Sequence, residues 1–208
     1  MIYLGNTNNK LFGMELKQNC SVRSINFLEE NTLLSSGYDA DMYLWDLRYT
    51  GRCVNRFIHE DGTPTSCIAS YIPPVDSNSY HIPHSFVAVG SQSGVMAIYE
   101  KHSHEANKWY APHNPPKPMK SIMNLTNKIT SACFHPSGQI LAMASYEKKD
   151  QLKMVHLPSG NVFMNWPTIG TPLGYVECMD FSPNGKYFVS GNKKGSVWLS
   201  QLKQLDVL

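Results

Sequence analysis

Long apolar runs are missing from this chain. No stretch of its 208 residues approaches the ~20 consecutive apolar residues of a membrane-spanning helix. Met1-Ile2-Tyr3-Leu4-Gly5-Asn6 has neither the basic region nor the apolar core of a secretory leader. The expectation is a soluble, non-secreted chain with no membrane partner. Paired cysteines are missing as well. The five cysteines, Cys20, Cys53, Cys67, Cys133 and Cys178, are odd in number and none stands in a Cys-x-x-Cys pair, so reduced core thiols are expected rather than a disulfide framework or a zinc site. The sequons Asn19-Cys20-Ser21 and Asn124-Leu125-Thr126 matter only in a secreted chain and are expected to stay unmodified. A charge excess of one sign is also lacking: 18 basic and 16 acidic residues give a net +2, which by itself selects neither nucleic acid nor a membrane surface.

The signatures of catalysis are absent too. A hydrolase needs a nucleophile, a base and an orienting group, yet no Gly-x-Ser-x-Gly, His-Glu-x-x-His or Gly-x-x-x-x-Gly-Lys string occurs. No enzyme activity, cofactor, metal or small-molecule substrate is therefore expected. His81, His84, His102, His104 and His113 fall in polar segments without cysteine partners and suit solvated loops better than metal ligation.

What is present is a core and a repeat. Hydrophobic residues make up 42% of the chain and aromatics 11%, enough for a packed interior. The stretch Leu33 to Arg48 contains a short apolar strand, a turn at Gly37 to Asp41, and a returning strand that ends in Trp45-Asp46. Later runs are imperfect copies of it. With Ser21 to Phe27 before it and Arg52 to Ile58 after it, a four-stranded unit forms. A second unit takes Thr65 to Tyr71, Ser85 to Ser91, Gly94 to Tyr99 and Met119 to Leu125, interrupted by the polar insertions Pro73 to His84 and Lys101 to Pro116. A third takes Ile129 to Phe134, Ile140 to Ser145, Leu152 to Leu157 and Asn161 to Trp166. A fourth takes Val176 to Phe181, Tyr187 to Ser190 and Gly195 to Ser200. Ile2 to Leu4 and Leu11 to Lys17 form a leading hairpin around Asn6-Thr7-Asn8-Asn9.

The sharpest repeat marker is Phe134-His135-Pro136-Ser137-Gly138 against Phe181-Ser182-Pro183-Asn184-Gly185, at the spacing of roughly 40 to 45 residues of propeller repeats. Phe ends an inner strand, while Pro and Gly supply the fixed and permissive dihedrals of the turn. With Trp45-Asp46 in place as well, the chain resembles the WD-repeat β-propeller family. The expected fold is all-β: a single partial propeller over residues 1–208, about four blades plus the leading hairpin, from a seven-bladed ring. The divisions are 1–18 for the end of a blade, 19–58 for a blade, 59–126 for a blade with two loop insertions, 127–168 for a blade, and 169–208 for a last blade lacking its fourth strand. A seven-bladed ring takes roughly 300 residues, so a fragment or truncated product is expected. The formal alternative is a four-bladed ring closed by Leu11 to Lys17 on the last unit.

In that family an Asp in the hairpin turn, a Ser or Thr on the preceding strand, the Trp, and a His before the first strand form a hydrogen-bonded set. Ser35 or Ser36, Asp39 or Asp41, and Trp45 match three roles here, and Ser36, Asp41, Trp45 and Asp46 are taken as the structural set. No His precedes Ser21; His59 precedes the second unit, which has Tyr99 near the Trp position. No unit carries the whole set.

Longer strings carry a narrower resemblance. Ser36 to Asp46, Arg52 to Phe57, Asn114-Pro115-Pro116-Lys117-Pro118-Met119-Lys120-Ser121-Ile122-Met123-Asn124-Leu125, and Val155-His156-Leu157-Pro158-Ser159 together look like the C-terminal half of the U3 small nucleolar RNA-associated protein 18 family. That resemblance implies a non-catalytic scaffold of the small-subunit processome, within its UtpB subcomplex, acting in nucleolar pre-rRNA processing and 18S rRNA maturation. Its partners would be the other UtpB proteins, with pre-rRNA and U3 small nucleolar RNA in the same particle. The alternative from another class is a WD-repeat substrate-recruitment or signalling adaptor. Candidate contacts with partners or RNA are Lys117, Lys120, Lys148, Lys149, Lys193 and Lys194 at strand ends and turns, and Trp109 and Tyr110 as aromatic anchors within a polar insertion.

Overall fold

The computed structural model describes residues 2–5, 12–49, 52–59, 61–73, 85–101, 116–157, 159–167 and 170–202. Trp109, Tyr110 and the five loop histidines lie outside them.

The described chain is seventeen strands joined by turns, because runs of four to eight apolar-rich residues alternate with Gly, Pro, Asn and Ser punctuation. The leading hairpin is β1 (Ile2–Gly5) with β2 (Phe12–Leu16), paired antiparallel. The first full sheet takes β3 (Val22–Glu29), β4 (Thr32–Gly37), β5 (Asp41–Asp46) and β6 (Asn55–Ile58) in sequence order. The second takes β7 (Thr65–Tyr71), β8 (Ser85–Ser91), β9 (Met96–Lys101) and β10 (Lys120–Ile122). The third takes β11 (Ser131–Phe134), β12 (Ile140–Ala144), β13 (Leu152–His156) and β14 (Asn161–Val162). The last holds three strands, β15 (Val176–Phe181), β16 (Tyr187–Asn192) and β17 (Val197–Gln201). The Arg52 to Ile58 and Asn161 to Trp166 runs pair over only part of their length, in β6 and β14.

Every sheet is a meander whose inner strand leans on its neighbours: β7 touches β3 and β11, and β11 touches β15. The central strands of the first three sheets are therefore largely buried on both faces, β4 and β5 throughout, which is why their middles are apolar or small rather than alternating; β16 of the last sheet is only partly covered. Leu34, Met42 and Leu44 pack against Ile68, Val87, Val89 and Tyr99 of the second sheet. The opposite face, Leu33, Tyr43 and Trp45, packs against Leu16 of β2. Ile98 and Met96 meet Leu141, Met143 and Val155 between the second and third sheets, and Ala142, Leu152 and Met154 meet Phe181 and Phe188 between the third and fourth. The core is thus a series of inter-sheet layers, as in a propeller.

Residues 12–16 pair with β1 and sit on the first sheet, not on the last. Among the described residues the four-bladed closure is therefore not formed: β17 pairs only with β16, and its Val197 and Leu199 are 69% and 68% exposed.

Each sheet turns between its second and third strands through a residue in the left-handed region: Ala40 (φ 64°), Gly94 (φ 91°), Asp150 (φ 57°) and Gly195 (φ 80°). Those four turns and the beginnings of the four inner strands lie at one end of the arc, since Val22 pairs with Gly37, Thr65 with Ser91, Ser131 with Ala144 and Val176 with Asn192.

Candidate functional site

Two polar networks hold this end together. In the first sheet the Trp45 indole Nε1 donates to Ser35 Oγ at 2.8 Å, and Ser35 Oγ donates to Gln18 Oε1 at 2.9 Å. Gln18 Nε2 continues to the Cys20 carbonyl at 3.1 Å. Gln18 thus precedes the inner strand where the family places a histidine; its amide, like an imidazole, can accept on one atom and donate from another. Of the two serines Ser35 carries the bond, because alternation along β4 turns it to the Trp45 side, whereas the buried Ser36 Oγ has no hydrogen-bond partner among the described residues.

The two turn aspartates have separate duties. Asp39 accepts from the Tyr43 hydroxyl and the Cys20 thiol, both at 2.9 Å. Burial raises the Asp39 pKa, but the Cys20 and Tyr43 hydrogen bonds outweigh it and leave the carboxyl below its ordinary value. Tyr43 is pushed up to about 12 by burial and by donating to Asp39. Asp41 instead forms an ion pair with Arg56. Asp46 holds Arg48 through Nη2 at 2.7 Å and Nε at 2.9 Å, and that guanidinium lowers its pKa.

In the second sheet His59 does what Gln18 does in the first. Its Nδ1 lies 2.6 Å from Asp61 Oδ1 and its Nε2 lies 3.3 Å from the Val89 carbonyl, with the ring fully buried. Val89 occupies the Ser35 position and Tyr99 the Trp45 position: Tyr99 pairs with Val87 as Trp45 pairs with Leu33. Asp61 also accepts from the Thr63 amide at 2.9 Å, the Thr63 hydroxyl at 2.8 Å, and Ser93 Oγ. Burial opposes its ionisation, but the bonds from Ser93 and Thr63 prevail and hold the carboxyl well below the usual carboxylate range. An Asp-His pair of this kind can activate a nucleophile. Here the second ring nitrogen faces a backbone carbonyl, so the pair pins a turn instead. Among the described residues no group of three or more His, Cys, Asp or Glu is placed to hold a metal ion.

The exposed part of this end is basic and aromatic. Arg23 Cζ stands 4.6 Å from the centre of the Tyr38 ring, Lys128 Nζ 5.8 Å from that of Tyr146, and Lys149 Nζ 5.9 Å from that of Tyr175. Arg23, Tyr38, Ser66, Lys128, Thr130 and Tyr146 line a cleft of about 320 Å³ where the first three sheets meet. Lys148 and Lys149 lie exposed in the turn between β12 and β13, and Lys193 and Lys194 in that between β16 and β17; the Lys193 amide donates to the Tyr175 carbonyl at 3.0 Å. These four lysines share one end of the arc. Lys117 and Lys120 do not join them: Lys120 Nζ donates to the Ser159 carbonyl at 3.0 Å, by the turn between β13 and β14. Arg23 and Lys128 escaped the sequence reading because each is a single cation within a strand edge or loop. Only the fold stacks them on tyrosines 15 to 18 residues further along in sequence.

Sheet order, turn chemistry and the indole-hydroxyl bond define a segment of a WD-repeat β-propeller, and residues 168–199 match the family model described as WD domain, G-beta repeat. A solved structure with this architecture is the computationally designed Ika4 protein, with a TM-score of 0.63 and 16% identity, covering 91% of this chain and 97% of that one. Over this segment the chain is a homologue of the U3 small nucleolar RNA-associated protein 18 family. It is 36% identical over 202 residues to the Arabidopsis thaliana homolog, covering 97% of this chain and 34% of that protein. The Homo sapiens homolog is 37% identical over 177 residues (84% and 28%), and the Saccharomyces cerevisiae protein 36% over 173 (78% and 27%). The chain spans about a third of the length of these curated relatives.

Proposed function

We propose that this chain is a non-catalytic scaffold of the small-subunit processome, associated with U3 small nucleolar RNA in the nucleolus and acting in pre-rRNA processing and 18S rRNA maturation. The observation that carries the reading is 36–37% identity to U3-associated proteins of plant, animal and fungus over 78–97% of the chain. The architecture supports the mechanism. Sheets joined by apolar layers, with the turns of the first two held by their own polar networks, form an arc whose turns can hold partners in fixed relation. The buried His59-Asp61 pair is spent on holding one of those turns.

The finer placement, also proposed, is within the UtpB subcomplex, as an arc of a seven-bladed ring. The apolar face that Val197 and Leu199 leave exposed among the described residues supports the arc, since it suits cover by a further blade; the UtpB placement rests on the family resemblance alone. Affinity purification of the tagged chain from nucleolar extract tests both levels. U3 RNA enriched at least tenfold over an unrelated small RNA, with UtpB proteins in the eluate, is expected. Ubiquitin-ligase subunits without U3 RNA would replace this reading with the recruitment-adaptor one.

A further inference from the structure

The cleft where the first three sheets meet differs from the rest of the surface in composition. It has two cations, two tyrosines, two hydroxyl side chains and one apolar residue, Val22, and no carboxylate lines it. Asp39 is held by Tyr43 and Cys20, Asp61 by Thr63 and Ser93, and Asp150 by the Gly174 amide at 2.8 Å; Glu147, next to Tyr146, is exposed in the turn between β12 and β13 and is the carboxylate a phosphate strand must pass. Tyr38 and Tyr146 remain 58% and 40% exposed, although large aromatics usually seek burial. Each ring has a cation beside it, at 4.6 and 5.8 Å. A cation next to an exposed ring provides two complementary surfaces, one for a phosphate and one for the face of a base. The cleft, at about 320 Å³, reaches the ~300 Å³ at which small-ligand pockets begin.

We propose that this cleft is a binding site for single-stranded RNA, with bases stacking on Tyr38 and Tyr146 and the adjoining phosphates held by Arg23 and Lys128. The strand continues over the turns of the third and fourth sheets, past Lys149 with Tyr175 and on to Lys193. The Ser66 and Thr130 hydroxyls do not read the strand: Ser66 Oγ donates to the Ile129 carbonyl, and Thr130 Oγ1 accepts from the Tyr146 amide at 3.2 Å. They position the walls, so recognition is stacking and charge, with little preference for sequence. An acidic peptide could use the cations but has no bases for the rings. The site deepens the processome reading and rests on it for the choice of RNA.

The test is fluorescence anisotropy of the full chain with a labelled ten-nucleotide single-stranded RNA, a duplex of the same length, and a polyglutamate competitor. Circular dichroism reports folding of each variant. R23Q/K128Q is expected to weaken binding about 25-fold near 0.1 M salt and to flatten the salt slope by about 1.4, from ~0.7 per lost phosphate contact. Y38L/Y146L is expected to weaken it roughly five- to 150-fold per stacked base with the slope unchanged, and Y38F/Y146F to bind as the native chain does. Folded R23Q/K128Q and Y38L/Y146L variants with native affinity would overturn the site. So would a duplex that binds as well as the single strand, or polyglutamate that binds as tightly as RNA. U3 enrichment in extract with no binding of the oligonucleotide would reject the cleft and leave the scaffold reading standing; oligonucleotide binding without U3 enrichment would do the reverse.

Discussion

Ser35 and Ser36 are neighbours on one buried strand, and their removal should have opposite consequences. Ser35 Oγ accepts from the Trp45 indole at 2.8 Å and donates to Gln18 at 2.9 Å. Ser35→Ala leaves an N–H buried in a residue only 2% exposed, and a buried orphan donor costs about 1–3 kcal/mol. Ser36 Oγ has no partner among the described residues, so Ser36→Ala removes a polar atom already desolvated without compensation. It should be neutral or stabilising by up to about 1 kcal/mol. Urea unfolding followed by far-UV circular dichroism measures both, provided the slope with denaturant stays constant. A double-mutant cycle isolates the bond: in a Trp45→Phe background Ser35→Ala should lose about 1 kcal/mol of its effect. Equal destabilisation by the two alanines, or a Ser35→Ala cost that is unchanged in the Trp45→Phe background, would refute the assignment of Ser35 and with it the role of Gln18.

Three other outcomes follow from the same geometry. Because the folded Asp61 carboxyl lies below its ordinary 3.8, its contribution is present above that pH and is lost as pH falls towards the folded value; thermal melts should show an acid-side loss of stability that Asp61→Asn makes shallower. Burial pushes the Cys67 and Cys133 thiols up to about 12, with the Asp180 charge adding to it at Cys133, whereas Cys178 is exposed. Iodoacetamide at pH 8 should modify Cys178 first and reach Cys67 and Cys133 only in denaturant, as mass spectrometry of peptides will report. Gly94→Ala would set a Cβ 2.4 Å from the Leu125 carbonyl at φ +91° and should cost more than about 1–2 kcal/mol, while Ala40→Gly, at the same turn position, should change the unfolding midpoint little.

The fold was legible where a repeat needed particular residue types. Gly138 and Gly185 occupy the left-handed region at φ 73° and 70°. A Cβ there would strike the Tyr71 ring at 2.3 Å and the His135 ring at 2.5 Å, so the Phe-x-Pro-x-Gly strings mark a turn and also its close packing on the preceding sheet. Legibility failed where a role was filled by an unexpected type. Ala40 and Asp150 hold the left-handed position that Gly94 and Gly195 hold elsewhere, which hides the register of the four hairpins. Gln18 replaces a histidine from outside any strand. The choice between Ser35 and Ser36 depends on which face of β4 meets Trp45, and one residue of register reverses it. The cleft could not be read at all, since its cation-ring pairs come from the first and third sheets and Ser66 between them from the second.

Sedimentation of a tagged chain through a gradient of nucleolar extract, with U3 RNA measured in every fraction, tests the central claim most directly. The account predicts that the chain peaks with U3 RNA in the large pre-ribosomal fractions and shifts to lighter ones after RNase treatment. A chain that stays at the top of the gradient while U3 RNA sediments deeply would contradict it.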